Sequence, residues 1–153
     1  MPHSAFFKHH DSQFRHNDNN SLRVEFGRLA NRCGWTKANG RYQSFWRTCL
    51  YEEFRYHVFS IIDETESKLR NMQLLCQEFC NETPPSITAC EKRLRKVHIN
   101  LNDWIDAQRR GDEPHLFRTY NALKEYTQES EKIFPKSILK RVPVMKVFMR
   151  ELA

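Results

Sequence analysis

Glycine is scarce in this chain, with four residues among 153. Hairpin-rich β folds and nucleotide sites cradled by several glycines need backbone that only glycine adopts easily, so the composition argues against both. No apolar run approaches the roughly 18 residues of a membrane span. The segment after Met1 is polar and histidine-rich, unlike an export signal. The expectation is an intracellular protein, nuclear or cytoplasmic, with no membrane partner. Signature motifs of catalysis are missing too: no Gly-x-Ser-x-Gly elbow, no His-Glu-x-x-His helix, no phosphate-binding glycine loop and no kinase set. The chain is therefore expected not to be an enzyme, with no catalytic residue and no cofactor.

What is present favours a helical core. Aromatic residues make up 12% of the chain, and eleven are Phe. The length suits one domain better than two. Cys33, Cys49, Cys76, Cys80 and Cys90 are an odd number without an export signal, so they read as reduced thiols. On the same ground Asn19-Asn20-Ser21 and Asn81-Glu82-Thr83 are chance matches to the glycosylation sequon.

The net charge of +6 is segmental. Residues 1–62 carry nine cations against five acids, residues 63–91 two against six, and residues 92–153 fourteen against eight. An acidic belt lies between two basic parts, a balance that suits nucleic acid or an acidic protein surface.

Apolar periodicity predicts an all-α fold of six to seven helices, in which residues 1–20 form an irregular aromatic and histidine-rich arm and residues 21–153 form one helical domain. Phe6, Phe7 and Phe14 of the arm are expected to dock. Ser21 caps a helix with Leu22, Phe26, Leu29 and Cys33 inward, and Gly34 ends it. The widest stripe spans 41–62 and marks a central helix with Phe45, Trp46, Leu50 and Phe54 buried. Asp63-x-x-Glu66 suits a capping box for the helix carrying Leu69, Met72, Leu75, Cys76 and Phe79, which Thr83-Pro84-Pro85 ends. Ser86 opens a segment that Asn100 and Asn102 either divide or leave whole. Leu116, Phe117, Tyr120, Leu123 and Thr127 fit a further helix, closed at Phe134-Pro135. Ile138, Val142, Met145, Phe148, Met149 and Leu152 fit the last, with Pro143 in its first turn.

Cys76 and Cys80 share a helix face, with Cys90 and His98 downstream. Thiolate and imidazole together can hold zinc, but these cysteines sit in apolar stripes and are expected to be core thiols. His3, His9, His10 and His16 lack a carboxylate at fixed spacing, so no metal ligand is assigned. Glu52, Glu53, Asp103 and Asp106 read as solvent-facing carboxylates. Cys49 with His57 is a conceivable nucleophile and base, set against the most apolar stripe of the chain. Lys92, Arg93, Arg95 and Lys96 form the densest basic run, a candidate contact for nucleic acid or an acidic partner. Arg109, Arg110, Lys132, Lys136, Lys140, Arg141, Lys146 and Arg150 follow.

Dispersed residues resemble a group of helical domains of filamentous fungi. They are Phe6-Phe7 with Phe14, Glu25-Phe26-x-Arg28-Leu29 leading to Gly34-Trp35, Ile87 through Cys90, Val97-His98-Ile99-Asn100-Leu101-Asn102-Asp103, Tyr126-Thr127, and Ile133-Phe134-Pro135-Lys136. The resemblance covers most of the chain and implies a helical fold, but no catalytic residue, because the group has no established activity. A helical module facing a protein partner is the leading expectation, with a DNA- or chromatin-associated module second. No feature of the sequence sets an oligomeric state.

Overall fold

Ser21 turns extended chain into helix by accepting the Val24 N–H on its hydroxyl at 3.2 Å. Helix α2 (Leu22–Cys33) runs from there to Gly34, whose left-handed φ of 74° lets the Trp35 N–H return to the Ala30 carbonyl. The computed structural model describes residues 3–152; the side chains of Arg150 and Leu152, assigned above to a cation set and an apolar stripe, lie outside those described. Among the described residues there are eight α-helices, one run of 3-10 turns and one two-stranded ribbon. The protein is thus predominantly helical, with more helices than the six or seven expected, because the N-terminal stretch contains a short helix and the last expected helix divides in two. It divides into two compact units, residues 1–57 with 105–113, and residues 58–104 with 114–153.

In the first unit the N-terminal residues include a short helix, α1 (Phe6–His10), with Phe6, Phe7 and Phe14 buried. Phe7 stacks on Phe14 at 5.3 Å between centroids, and Phe6 lies 6.3 Å from Phe26. Phe26 in turn meets Tyr42 and Trp46 of α3 (Gly40–Val58). Leu50 and Phe54 are buried as expected, but Phe45 and Trp46 remain half-buried. Their faces are covered from the surface: Trp35 stacks on Phe45 at 4.0 Å, and the Arg23 guanidinium lies 4.4 Å over Trp46.

The second unit begins where α3 ends, at Val58 rather than 62. Asp63 does not start the next helix. Its Oδ1 accepts the Thr65 N–H and hydroxyl, while the Asn71 amide brackets its backbone, donating to its carbonyl at 2.7 Å. That turn uses the carboxylate locally, so α4 (Lys68–Cys80) takes Ser67 as its cap instead. Asn81, in left-handed backbone at φ 56°, ends α4 before the prolines.

Ser86 caps α5 (Ile87–Leu94), which packs against α4. The chain then extends through β1 (His98–Ile99), and Asn100 caps α6 (Leu101–Arg110) by accepting the Asp103 N–H. The Ser86 segment is therefore divided. Leu116 and Phe117 form β2 (Leu116–Phe117), antiparallel to β1, and leave the helix assigned to them. That helix, α7 (Tyr120–Ser130), starts behind Thr119. It stops at Glu131 in left-handed backbone, short of Phe134-Pro135. After α8 (Lys136–Lys140), Pro143 opens the 3-10 run Pro143–Leu152, where its missing N–H is not needed. Phe79 sits 5.4 Å from Trp104 and 4.9 Å from Phe148, and Leu75, Leu94, Leu139 and Met145 are fully buried around them.

Candidate functional site

The basic run occupies the last turn of α5 and the residues after it, where cations favour the negative end of the helix dipole. Two of its four charges are held by the acidic belt. Arg93 Nε donates to Glu82 at 2.6 Å, which raises the pKa of the guanidinium, and Arg95 lies 3.6 Å from Glu91. Lys92 and Lys96 are exposed and form no ion pair among the described residues.

The cations expected to extend this patch divide in the same way. Arg109 is 2% exposed and belongs to the first unit's interior, where it donates to the Asn20 carbonyl at 2.6 Å and lies 3.6 Å from Asp106. Arg110 pairs with Asp112, and Lys132 donates to Asp103 at 2.8 Å and to the Tyr126 hydroxyl at 2.9 Å. Lys136, Lys140 and Lys146 are exposed. The open positive charges at these positions are thus mainly lysines of the second unit.

Cys76, Cys80, Cys90 and His98 do not close into a ligand set among the described residues. The Cys76 thiol donates to the Cys90 carbonyl at 3.6 Å, tying α4 to α5, and the Cys90 thiol donates to the Pro84 carbonyl at 3.7 Å, tying α5 to the connector before it. Burial, then the hydrogen bond with Cys90, pushes the Cys76 thiol up to about 12. Burial likewise pushes Cys49 well above the usual thiol range. The thiolate is the nucleophile. Iodoacetamide at pH 8 should therefore label half-buried Cys33 before Cys49, Cys76 or Cys90, as read by mass spectrometry of native protein, and denaturant should expose the rest. Rapid native labelling of Cys76 would contradict this packing.

The conceivable Cys49–His57 pair is not assembled as nucleophile and base. His57 Nε2 lies 3.3 Å from Glu53 Oε2, and Glu53, expected on a solvent face, is fully buried. Its Oε1 accepts the Ser4 N–H at 2.7 Å and the Ser4 hydroxyl at 2.8 Å. Burial raises its pKa, but the neighbouring His57 and the bonds from Ser4 outweigh that and leave it below the usual carboxylate value. Asp103 and Asp106 are half-buried rather than solvent-facing. Asp103 accepts the Tyr126 hydroxyl at 2.5 Å, and Asp106 accepts the Leu22 N–H at 2.8 Å.

Glu25 completes the set of buried charges. Burial raises its pKa, yet bonds from Asn20, Arg28 and the Asn17 N–H bring it below the usual value. The Glu25/Arg28 spacing of three was visible in the sequence; its burial was not.

His16 lies in the same unit, with its side chain 4% exposed. Burial first, then the nearby His3 and Arg109, lowers its pKa to about 4. The interior of the first unit thus gathers charges that pair largely with one another, though buried atoms such as Asp18 Oδ1 and Glu53 Oε2 have no hydrogen-bond donor, a constellation that sequence spacing alone did not reveal.

Comparisons with protein-family models, curated proteins and solved structures found no match.

Proposed function

We propose that this chain is a non-enzymatic helical module that acts by contacting another protein. The observation that carries the reading is the pairing of Arg93 with Glu82 and Arg95 with Glu91, which occupies the arginines of the densest basic run. Reading a base edge takes a guanidinium fork or an amide, whereas lysine is a point charge that recognises phosphate without sequence. Arginines engaged by acids of their own chain therefore favour a protein-facing role over sequence-specific DNA contact. Raised thiol pKa values at Cys49 and Cys76 support a role without nucleophilic chemistry. The same proposal places the protein inside the cell, in nucleus or cytoplasm, supported by five free cysteines, and in kinship with the helical fungal group.

The second reading, a DNA- or chromatin-associated module, draws on exposed Lys92, Lys96, Lys136, Lys140 and Lys146. A mobility-shift titration on random duplex and single-stranded DNA, at two salt concentrations, separates the two. The protein-facing reading expects no micromolar complex even at low salt. A micromolar complex that weakens steeply with salt, and is lost when Lys92, Arg95 and Lys96 become Ala, would replace it with the second reading.

A further inference from the structure

Four histidines lie within the first sixteen residues, and the fold sorts them into two pairs. His10 packs on Trp35 and Phe45, with centroids 5.0 and 5.3 Å away, and His9 stands edge-on beside it. His3 and His16 stack on each other instead, 4.1 Å apart and 22° from parallel. Asp18 closes this second group, which lies wholly in the first unit. The His3 and His16 Nε2 atoms are 4.0 and 3.7 Å from the same carboxylate oxygen, Asp18 Oδ1. Among the described residues this is the one group of three metal-ligating side chains whose donor atoms all lie within 4.8 Å of one another.

We propose that His3, His16 and Asp18 bind a single zinc ion, with water in the fourth position. This goes beyond the protein-facing role and departs from the expectation that no residue serves as a metal ligand. Separations of 3.7 and 4.0 Å are too long for hydrogen bonds. Around a tetrahedral zinc with ligands about 2.0–2.1 Å away, donor atoms stand about 3.3 Å apart. His3 and His16 thus each need to approach Asp18 by well under an ångström, and their stacked rings have to turn so that both lone pairs meet the ion.

The hydrogen bonds around the group also suit a cation. His3 Nδ1 lies 3.0 Å from the Ser4 carbonyl, which can only accept, so Nδ1 carries a proton and Nε2 is the atom that faces Asp18. A backbone carbonyl holding the far nitrogen of an imidazole is the usual outer support of a histidine ligand. Asp18 Oδ1 is buried and has no hydrogen-bond donor. A metal ion between His3 Nε2 and Asp18 Oδ1 would give that oxygen the partner it lacks.

One charge opposes the ion. Arg109 Nη2 contacts His16 Nε2, and zinc has to displace it. Arg109 keeps the Asn20 carbonyl and Asp106 when that contact is given up. Besides Asp18, the carboxylates of Glu25 and Glu53 act on His16, against the single guanidinium of Arg109. Two imidazoles and one carboxylate suit zinc better than a hard oxygen-seeking ion such as calcium. Bound zinc would tie residue 3 to the turn at 16–18.

The test is zinc titration of the full chain by calorimetry, with Co2+ absorption as a second readout. His3→Gln and Asp18→Asn carry it, since both leave buried His16 in place, and far-UV circular dichroism checks their folding. His9→Ala/His10→Ala is the control. The expected result is one equivalent of zinc per chain, with affinity falling at least about tenfold in each ligand variant and unchanged in the control. Cobalt should give tetrahedral d–d bands that disappear with the same two variants. Failure of the chain to bind zinc at micromolar concentration would overturn the proposal. So would binding that survives both ligand variants, which places the ion on thiols or on His9 and His10.

Discussion

Phe54→Ala is expected to destabilise the protein by about 3–5 kcal/mol, measured as the shift of the urea unfolding midpoint at constant slope. The ring is fully buried on α3, on the same face as Leu50 and within one helical turn of it. Truncation to Ala removes its transfer free energy and leaves a cavity that close-packed neighbours fill only in part. Trp46→Ala provides the contrast. That residue is only half-buried, and its face is covered by Arg23, so its loss should cost clearly less. Equal losses for the two would show that the apolar stripe of α3 is not divided between core and surface in this way.

Glu53→Ala is expected to cost a similar amount, about 3–5 kcal/mol at pH 7, because it removes one partner from a buried charged network. Its loss leaves the Ser4 N–H without its 2.7 Å acceptor, and His57 without its 3.3 Å partner. The effect carries a pH signature. The folded-state pKa lies below the ordinary value of 4.5, so on acidification the unfolded chain takes up its proton first. Stabilisation from this carboxylate is complete above 4.5 and is lost as the pH falls through the lower folded value. Glu53→Gln keeps the shape and cannot titrate. The stability gap between wild type and Glu53→Gln should therefore be widest at neutral pH and shrink below pH 4.5. A gap that stays constant down to the acid transition would show that the carboxylate is not held ionised by Ser4 and His57.

Several features were legible because they depend on a few neighbouring residues. Ser21 and Ser86 are N-caps because a hydroxyl reaches the N–H three residues on. Gly34 ends α2 because left-handed backbone costs glycine little. Pro143 opens the last run because a first turn needs no N–H there. The burial of Phe6, Phe7 and Phe14 followed from ring size alone, since large apolar rings gain most by leaving water. Asp63 shows how such local signals compete: one side-chain oxygen can close a turn or cap a helix, and the turn prevailed because Asn71 holds its other side.

The strands escaped because two residues carry no period, and Leu116 with Phe117 continues the helical stripe of α7 as well as it pairs with His98 and Ile99. The charged interior escaped for a different reason. On a helix wheel Glu53, Asp106 and Arg109 look like any solvent-facing residues, and a charge is buried only when its partner is already in place. Those partners are distant: Ser4 for Glu53, Leu22 for Asp106, Asn20 for Arg109. Helix-forming tendency, caps and stops were thus written into the sequence by itself, since each is settled within one turn of chain. Which carboxylates and guanidiniums went inside, and which histidines met Asp18, was decided only by tertiary structure, because burying a polar group depends on segments that folding alone brings together.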